Sequence, residues 1–585
     1  MDGFLPVNKQ DLEQDGVGQP DFILITGDAY VDHPSFAHAV ISRYLVAHGY
    51  SVGIIAQPNW KKTQSFTVLG EPRLGFLVSP GNMDSMVSLY TVAKKKREKD
   101  LYSPGGRQGK RPPRAAIVYT QKLKEAYPNS PVILGGIEAS LRRFAHYDYW
   151  DNKVMPSILA DSGADLLVYG MGERAIVEIA EALDGGLRAQ DITYVQGTCY
   201  KANDLSRVYE YEKLPSLGEV RENKRTFAKA FNEQMFNRNN PLVQKNGGVY
   251  IVQNIPAQPL NTRELDFVYS LPYTRRAHPM YKEPVPALAE AANSITAVRG
   301  CVGGCAFCAL YYHQGKCVSS RSKKSILAEA ETIKETPGFK GTISDVGGPT
   351  ANLYGMKCMR KGGMCQSRRC LVPSPCKHLK ESHAAYIDVL RSIRNIPGIK
   401  HVFVRSGIRH DLALMDKSGE FIRELAKHHV SGQLKLAPEH VSGSVLHTMG
   451  KPEIEVYEKF KQKFDAISES LGKKQYVLPY FMSSHPGCKM DDAVTLAEYI
   501  RDSGFMPDTA QDFYPTPGTL ATCMYYTGID PQTGKSVYAA RKGEEKAMQR
   551  ALIQYKNPAN RPLVKKALLA AKRFDLMGKG KKSLW

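Results

Sequence analysis

Eight residues in the middle of the chain, Cys301-Val-Gly-Gly-Cys305-Ala-Phe-Cys308, carry the clearest chemistry in the sequence. Three thiolates at this CxxxCxxC spacing can each ligate a different iron of a cubane [4Fe–4S] cluster. The paired glycines let the loop curl around it without a Cβ in the way. A fourth iron then lacks a protein ligand on this loop and can accept a small molecule. A structural zinc fits less well, because it takes four ligands, usually from paired CxxC units.

A second set, Cys358, Cys365, Cys370 and Cys376, lies in a basic, Gly- and Pro-containing stretch. Four thiolates there could hold a second metal, either zinc or another iron–sulfur cluster. Cys317 follows the main motif and could take part. Cys199, Cys488 and Cys523 stand alone and read as small apolar residues.

The elements that must position these groups show as alternating apolar strands and helical patterns. Near the amino end, FILITGDAY (22–30), SVGII (51–55), RLGFLVS (73–79), PVILGG (131–136) and ADLLVYG (164–170) predict a doubly wound parallel sheet. From residue 294, six further candidate strands predict a partial (β/α)6 barrel, whose chemistry would sit at the carboxyl ends of its strands. The CxxxCxxC loop follows the first of these strands. Gly347, Gly348 and Pro349 follow the second, Arg405 and Ser406 the third, and Glu439 the fourth. The expected division is an α/β domain over 1–200, a connector over 201–285, and the barrel over 286–530. The barrel carries the Cys-rich insertion 356–378, and a helical, then basic, carboxyl-terminal tail covers 531–585.

With these motifs in view, the chain resembles the radical S-adenosylmethionine (SAM) superfamily, and within it the YgiQ family. The resemblance covers nearly the whole chain. It implies that the open iron is chelated by SAM. One electron then cleaves SAM to methionine and a 5′-deoxyadenosyl radical, which abstracts hydrogen from a substrate. It also implies a reductant of flavodoxin or ferredoxin type. Gly347-Gly348-Pro349 resembles the superfamily segment that binds the SAM amino group, with Pro in place of the usual Glu. Arg405, Ser406 and Glu439 fall where ribose and carboxylate contacts are expected. The first ~200 residues are similar to the cobalamin-binding domains that precede many such barrels. The DxHxxG pattern that supplies cobalt's histidine is absent, so cobalamin itself is not expected.

Composition sets the remaining bounds. The chain has 585 residues, 42% hydrophobic and 23% charged, enough for large cores without disulfide staples. No apolar run approaches a membrane span. The polar amino end lacks a secretory pattern, so a cytoplasmic protein with no membrane partner is expected. Lysine and arginine number 79 against 58 acids, a net charge of +21, concentrated toward Arg541–Trp585. That excess suits a polyanionic partner such as RNA. It leaves an alternative function, a non-catalytic, metal-stabilised RNA-binding protein. The substrate is not legible.

Overall fold

The computed structural model describes residues 3–236, 239–360, 365, 369–380, 382–578 and 580–584. Parts of the Cys-rich insertion (361–364 and 366–368) and Lys579 of the basic end lie outside the described residues. The chain forms two compact units, Met1–Ser294 with Tyr312–Gly315, and Ile295–Tyr311 with Lys316–Trp585.

The first unit is built on a nine-stranded sheet. Its parallel part runs Val52–Ala56, Phe22–Thr26, Gly75–Ser79, Val132–Leu134 and Leu166–Val168 in space. In chain order that is 2-1-3-4-5, a doubly wound arrangement. Side chains alternate between faces along a strand. Phe22 and Leu24 therefore enter one hydrophobic core, and Ile23 and Ile25 the other. Both faces are covered, which explains why these strands read as unbroken apolar runs.

Residues 201–285, expected to be a connector, instead extend this sheet. Thr198–Ala202, Leu242–Asn246 and Val249–Gln253 add antiparallel strands, and Glu212–Lys213 adds a short edge. Asn246 pairs with Val249 across Gly247-Gly248, with Gly247 at φ +65°. Two β-rich runs joined by Gly-Gly are a hairpin signal. The polar residues of Leu242–Asn246 masked it, although Gln244 and Asn246 are buried and hydrogen-bonded to each other at 3.1 Å.

In the second unit, Ser294–Thr296 neighbours Asp345–Gly347, and Thr342–Ile343 pairs in parallel with His401–Val402. Gln433–Glu439, Tyr476–Ser483 and Gln511–Asp512 form a parallel trio. Ile343, Val346, Val402, Leu434, Leu436 and Val477 meet in one core. Helices between the strands cover it. Ala384–Arg394, for example, buries Tyr386, Ile387, Val389, Leu390 and Ile393 in it, one face at helical spacing.

The carboxyl-terminal segment begins with the helices Gly543–Ile553 and Arg561–Ala570. The first packs against the helix Met490–Asp502 and the strands Tyr476–Ser483 and Gln511–Asp512. Arg573 then binds both carboxylate oxygens of Glu498 at 2.8 and 2.9 Å. Among the described residues, no helix is long and apolar enough to cross a membrane.

Leu568 is fully buried in the final helix, whereas its neighbour Leu569 is 43% exposed. Leu568→Ala should cost about 2–5 kcal/mol of stability through lost burial and a residual cavity. Leu569→Ala should change little. Urea unfolding of both variants checks this: equal midpoints would mean that the last helix is not part of the folded unit.

Candidate iron–sulfur and SAM site

The cysteine loop leaves the barrel from the short strand Val298–Arg299, which pairs antiparallel with Ser319–Ser320. Gly300 makes the exit possible. Its φ is +77°, and a Cβ there would lie 1.8 Å from the Cys317 carbonyl oxygen. Backbone bonds then pin the loop. Ala306 N donates to Met449 O at 2.8 Å, and Ala521 N donates to Ala306 O at 2.9 Å. Gly303 N–H points back at Cys301 Sγ, 3.3 Å away. A Cβ on Gly303 would sit 3.3 Å from Cys301 Sγ and 3.8 Å from Cys305 Sγ. A side chain at Gly303 would thus crowd the Arg409 guanidinium, 3.2 Å away, and the Cys301 sulfur.

The three sulfurs differ in their surroundings. Cys301 Sγ lies 3.8 Å from Thr350 Oγ1. Cys305 Sγ lies 3.7 Å from Arg409 Nη1. Burial pushes the Cys301 thiol pKa up, and the neighbouring Cys305 adds to it. Cys308 is pushed up to about 12, by burial first and then by Cys305 and Cys301. Backbone N–H groups of Tyr311 and Leu310 act in the opposite sense on Cys308. Partly buried thiols facing N–H donors and one guanidinium suit metal-bound thiolates, because these groups offset the charge that coordination leaves on sulfur.

Arg409 was not singled out by the sequence reading. It is 7% exposed and ion-paired with Asp411, with Nε 2.9 Å from Oδ1. Asp411 holds the guanidinium toward the loop, and its own pKa is lowered because Arg409 outweighs its desolvation. The only hint was an Arg-His-Asp run just beyond a predicted strand. The partner sulfur lies a hundred positions earlier.

Gly347 and Gly348 are brought to the same place. Ala297 N donates to Gly347 O at 2.7 Å, and a Cβ on Gly348 would lie 2.2 Å from Val298 O. These glycines let the second strand press against the one that launches the cysteine loop. Pro349 leads directly to Thr350. The Arg405 and Ser406 backbone N–H groups donate to Asp345 Oδ1 at 2.7 and 3.0 Å. Ser406 Oγ also bonds Asp345 Oδ2. The Arg405 side chain is exposed.

Glu439 ends its strand at φ +71° and is 7% exposed. Burial raises its pKa, opposed by Lys451, whose ammonium is 3.4 Å away. Lys451 also donates to Ala437 O at 2.8 Å and lies 6.0 Å from the Phe307 ring centre. Glu439 thus reaches the loop through Lys451 rather than as an open carboxylate.

The second set, Cys358, Cys365, Cys370 and Cys376, is gathered in the insertion, and all four are free thiols. Among the described residues, no group of three or more His, Cys, Asp or Glu side chains is set to hold a single metal ion.

Arg409→Met would leave Asp411 buried without its partner and should cost about 3–5 kcal/mol. Adding Asp411→Leu should recover most of that loss. Urea unfolding measures both, and a double variant as unstable as the single would refute this pairing.

Comparisons with known proteins place this geometry. Residues 4–294 match the family model "Radical SAM N-terminal", and residues 508–585 match a domain of unknown function, DUF3362. A UPF0313 protein of Clostridium perfringens (strain ATCC 13124) is 54% identical over 590 residues, covering 99% of this chain and 89% of that one. A UPF0313 protein of Clostridium botulinum (strain 657) is 51% identical over 585 residues, covering 99% and 92%. Among solved structures, the fold is similar to the radical S-adenosylmethionine methyltransferase TsrM from Kitasatospora setae, with cobalamin and a [4Fe–4S] cluster bound. The TM-score is 0.50 at 12% identity, covering 94% of this chain and 100% of that one. This neighbour overturns the expectation against cobalamin, because a protein of this fold holds it. The missing DxHxxG pattern was too narrow a criterion. The chain belongs to the UPF0313 family and, with its radical SAM amino-terminal domain, is a radical SAM enzyme.

Proposed function

We propose that this protein binds one [4Fe–4S] cluster through Cys301, Cys305 and Cys308 and uses it to cleave SAM reductively, starting hydrogen abstraction from a substrate. The observation that carries this reading is the cysteine loop. Three partly buried thiols on one curled turn follow the short strand Val298–Arg299, with a guanidinium facing one of them. When bound, the cluster supplies one electron to the SAM sulfur–carbon bond, giving methionine and a 5′-deoxyadenosyl radical, with a flavodoxin- or ferredoxin-type protein as donor.

The chain's own residues bind and orient. Arg409 offsets the negative charge of the thiolates, and Asp411 keeps it aimed. Gly347 and Gly348 bring the strand end and Thr350 against Cys301. Fully buried Ala306 and nearly buried Val302 keep water from the loop's inner side. The competing RNA-binding reading loses ground, because basic groups near the carboxyl end are engaged within the fold. Arg550 pairs with Asp512, Lys566 with Glu544 and Arg573 with Glu498.

A second reading concerns the first unit, whose fold is similar to that of a cobalamin-holding protein. At the carboxyl ends of its central strands, a Cβ on Gly135 would meet nothing within 4 Å, which leaves backbone open to a ligand. Uptake of hydroxocobalamin by the purified full chain, read by absorbance after gel filtration, should approach one per chain. No retained cobalamin would remove this reading and leave the cluster chemistry untouched.

Anaerobic incubation of the reconstituted, reduced protein with SAM should yield 5′-deoxyadenosine. Cys305→Ala should abolish it while leaving the overall fold intact by circular dichroism. Wild type that holds its cluster yet releases no 5′-deoxyadenosine would contradict the proposal.

A further inference from the structure

We propose that Cys358, Cys365, Cys370 and Cys376 together bind a second iron–sulfur cluster of the [4Fe–4S] type, in the insertion that follows the strand Asp345–Gly347.

The backbone holds three of these cysteines on one small unit. Lys357–Cys358 pairs antiparallel with Leu379–Lys380, placing Cys358 opposite Leu379. Leu379 N donates to Cys376 O at 2.9 Å, and Cys376 N donates to Cys370 O at 2.7 Å. Cys358, Cys376 and Cys370 are therefore linked through consecutive backbone bonds, despite up to eighteen positions between them in the sequence.

Cys365 is tied in from elsewhere. Lys316, only 5% exposed, donates its ammonium to Cys365 O at 2.7 Å and lies 4.0 Å from Cys365 Sγ. Cys370 lies close enough to the other three thiols to interact with each. Burial raises the Cys370 thiol pKa most, Lys316 opposes it, and Cys365, Cys376 and Cys358 each add to it. A buried ammonium that reaches Cys365 and acts on Cys370 is the charge complement that a set of thiolates needs.

An apolar wall completes the site. Leu371, Val372, Leu379 and Met356 form one hydrophobic cluster with Cys370, and Cys376 and Cys301 pack against it. The insertion thus shares its wall with the loop of the first cluster. Cys199 and Cys523 provide the contrast. Each is buried singly, Cys199 in an apolar core, as an ordinary small hydrophobe.

The kind of metal follows from number and place. Cys370 lies within interaction range of Cys365, Cys376 and Cys358, so four thiols stand in one neighbourhood, one for each iron of a cubane. The wall shared with Cys301 sets that neighbourhood beside the first cluster's loop, where a second redox centre can exchange electrons with it.

The test uses the full chain, reconstituted anaerobically with ferrous iron and sulfide. Wild type should hold about eight irons and about eight sulfides, two cubanes' worth. Cys301→Ala/Cys305→Ala/Cys308→Ala should keep about four irons, with an electron paramagnetic resonance (EPR) signal that SAM does not shift. Cys358→Ala/Cys370→Ala should also keep about four, with a signal that SAM does shift. About four irons in wild type, or zinc retained by the as-purified chain and lost with Cys358→Ala/Cys370→Ala, would overturn the proposal. The wild-type count decides the matter even if a variant fails to fold. Eight irons with no response to SAM anywhere would support this second site while refuting the SAM chemistry of the first.

Discussion

The close approach of two backbones, at Gly348 and Val298, underlies the site. With a Cβ at Gly348 only 2.2 Å from Val298 O, the first two strands of the barrel could not meet as they do. Their meeting sets Thr350 beside Cys301 and fixes where the cysteine loop begins. A third strand joins through Asp345, whose carboxylate collects the Arg405 and Ser406 backbone N–H groups. The loop can then be short and buried, because its surroundings are already rigid.

Burial has an electrostatic cost that the site meets locally. Three thiols set together repel one another when ionised, and burial, joined by that repulsion, pushes the Cys301 and Cys308 thiol pKa values up. Gly303 N–H, the N–H groups of Tyr311 and Leu310, and the Arg409 guanidinium are the groups aimed at them. Arg409 is itself buried and stays charged through Asp411. The cysteines define which metal group fits, while a buried ion pair from a distant part of the barrel makes their ionisation tolerable.

This split explains what could be read from the sequence. The cysteine loop was legible because its three thiols lie within eight residues and glycine marks the curl. The parallel strands of the first unit were legible because burial on both faces leaves unbroken apolar runs. Leu242–Asn246 was not, since buried Gln244 and Asn246 satisfy each other and hide the pattern. Arg409 and Lys451 were not, because their partners are fixed only by folding. Glu439 was placed correctly at a strand end, but its pairing with Lys451 depends on a helix that follows. Cobalamin was misjudged for a related reason: one ligand motif was asked to stand for a whole fold.

The central claim is that the iron left without a cysteine ligand is where SAM binds. The most direct measurement is electron–nuclear double resonance on the reduced protein, with SAM isotopically labelled at its amino nitrogen and carboxylate oxygen. The account predicts hyperfine coupling from both labels to the cluster held by Cys301, Cys305 and Cys308. An intact cluster with saturating SAM and neither coupling would contradict it.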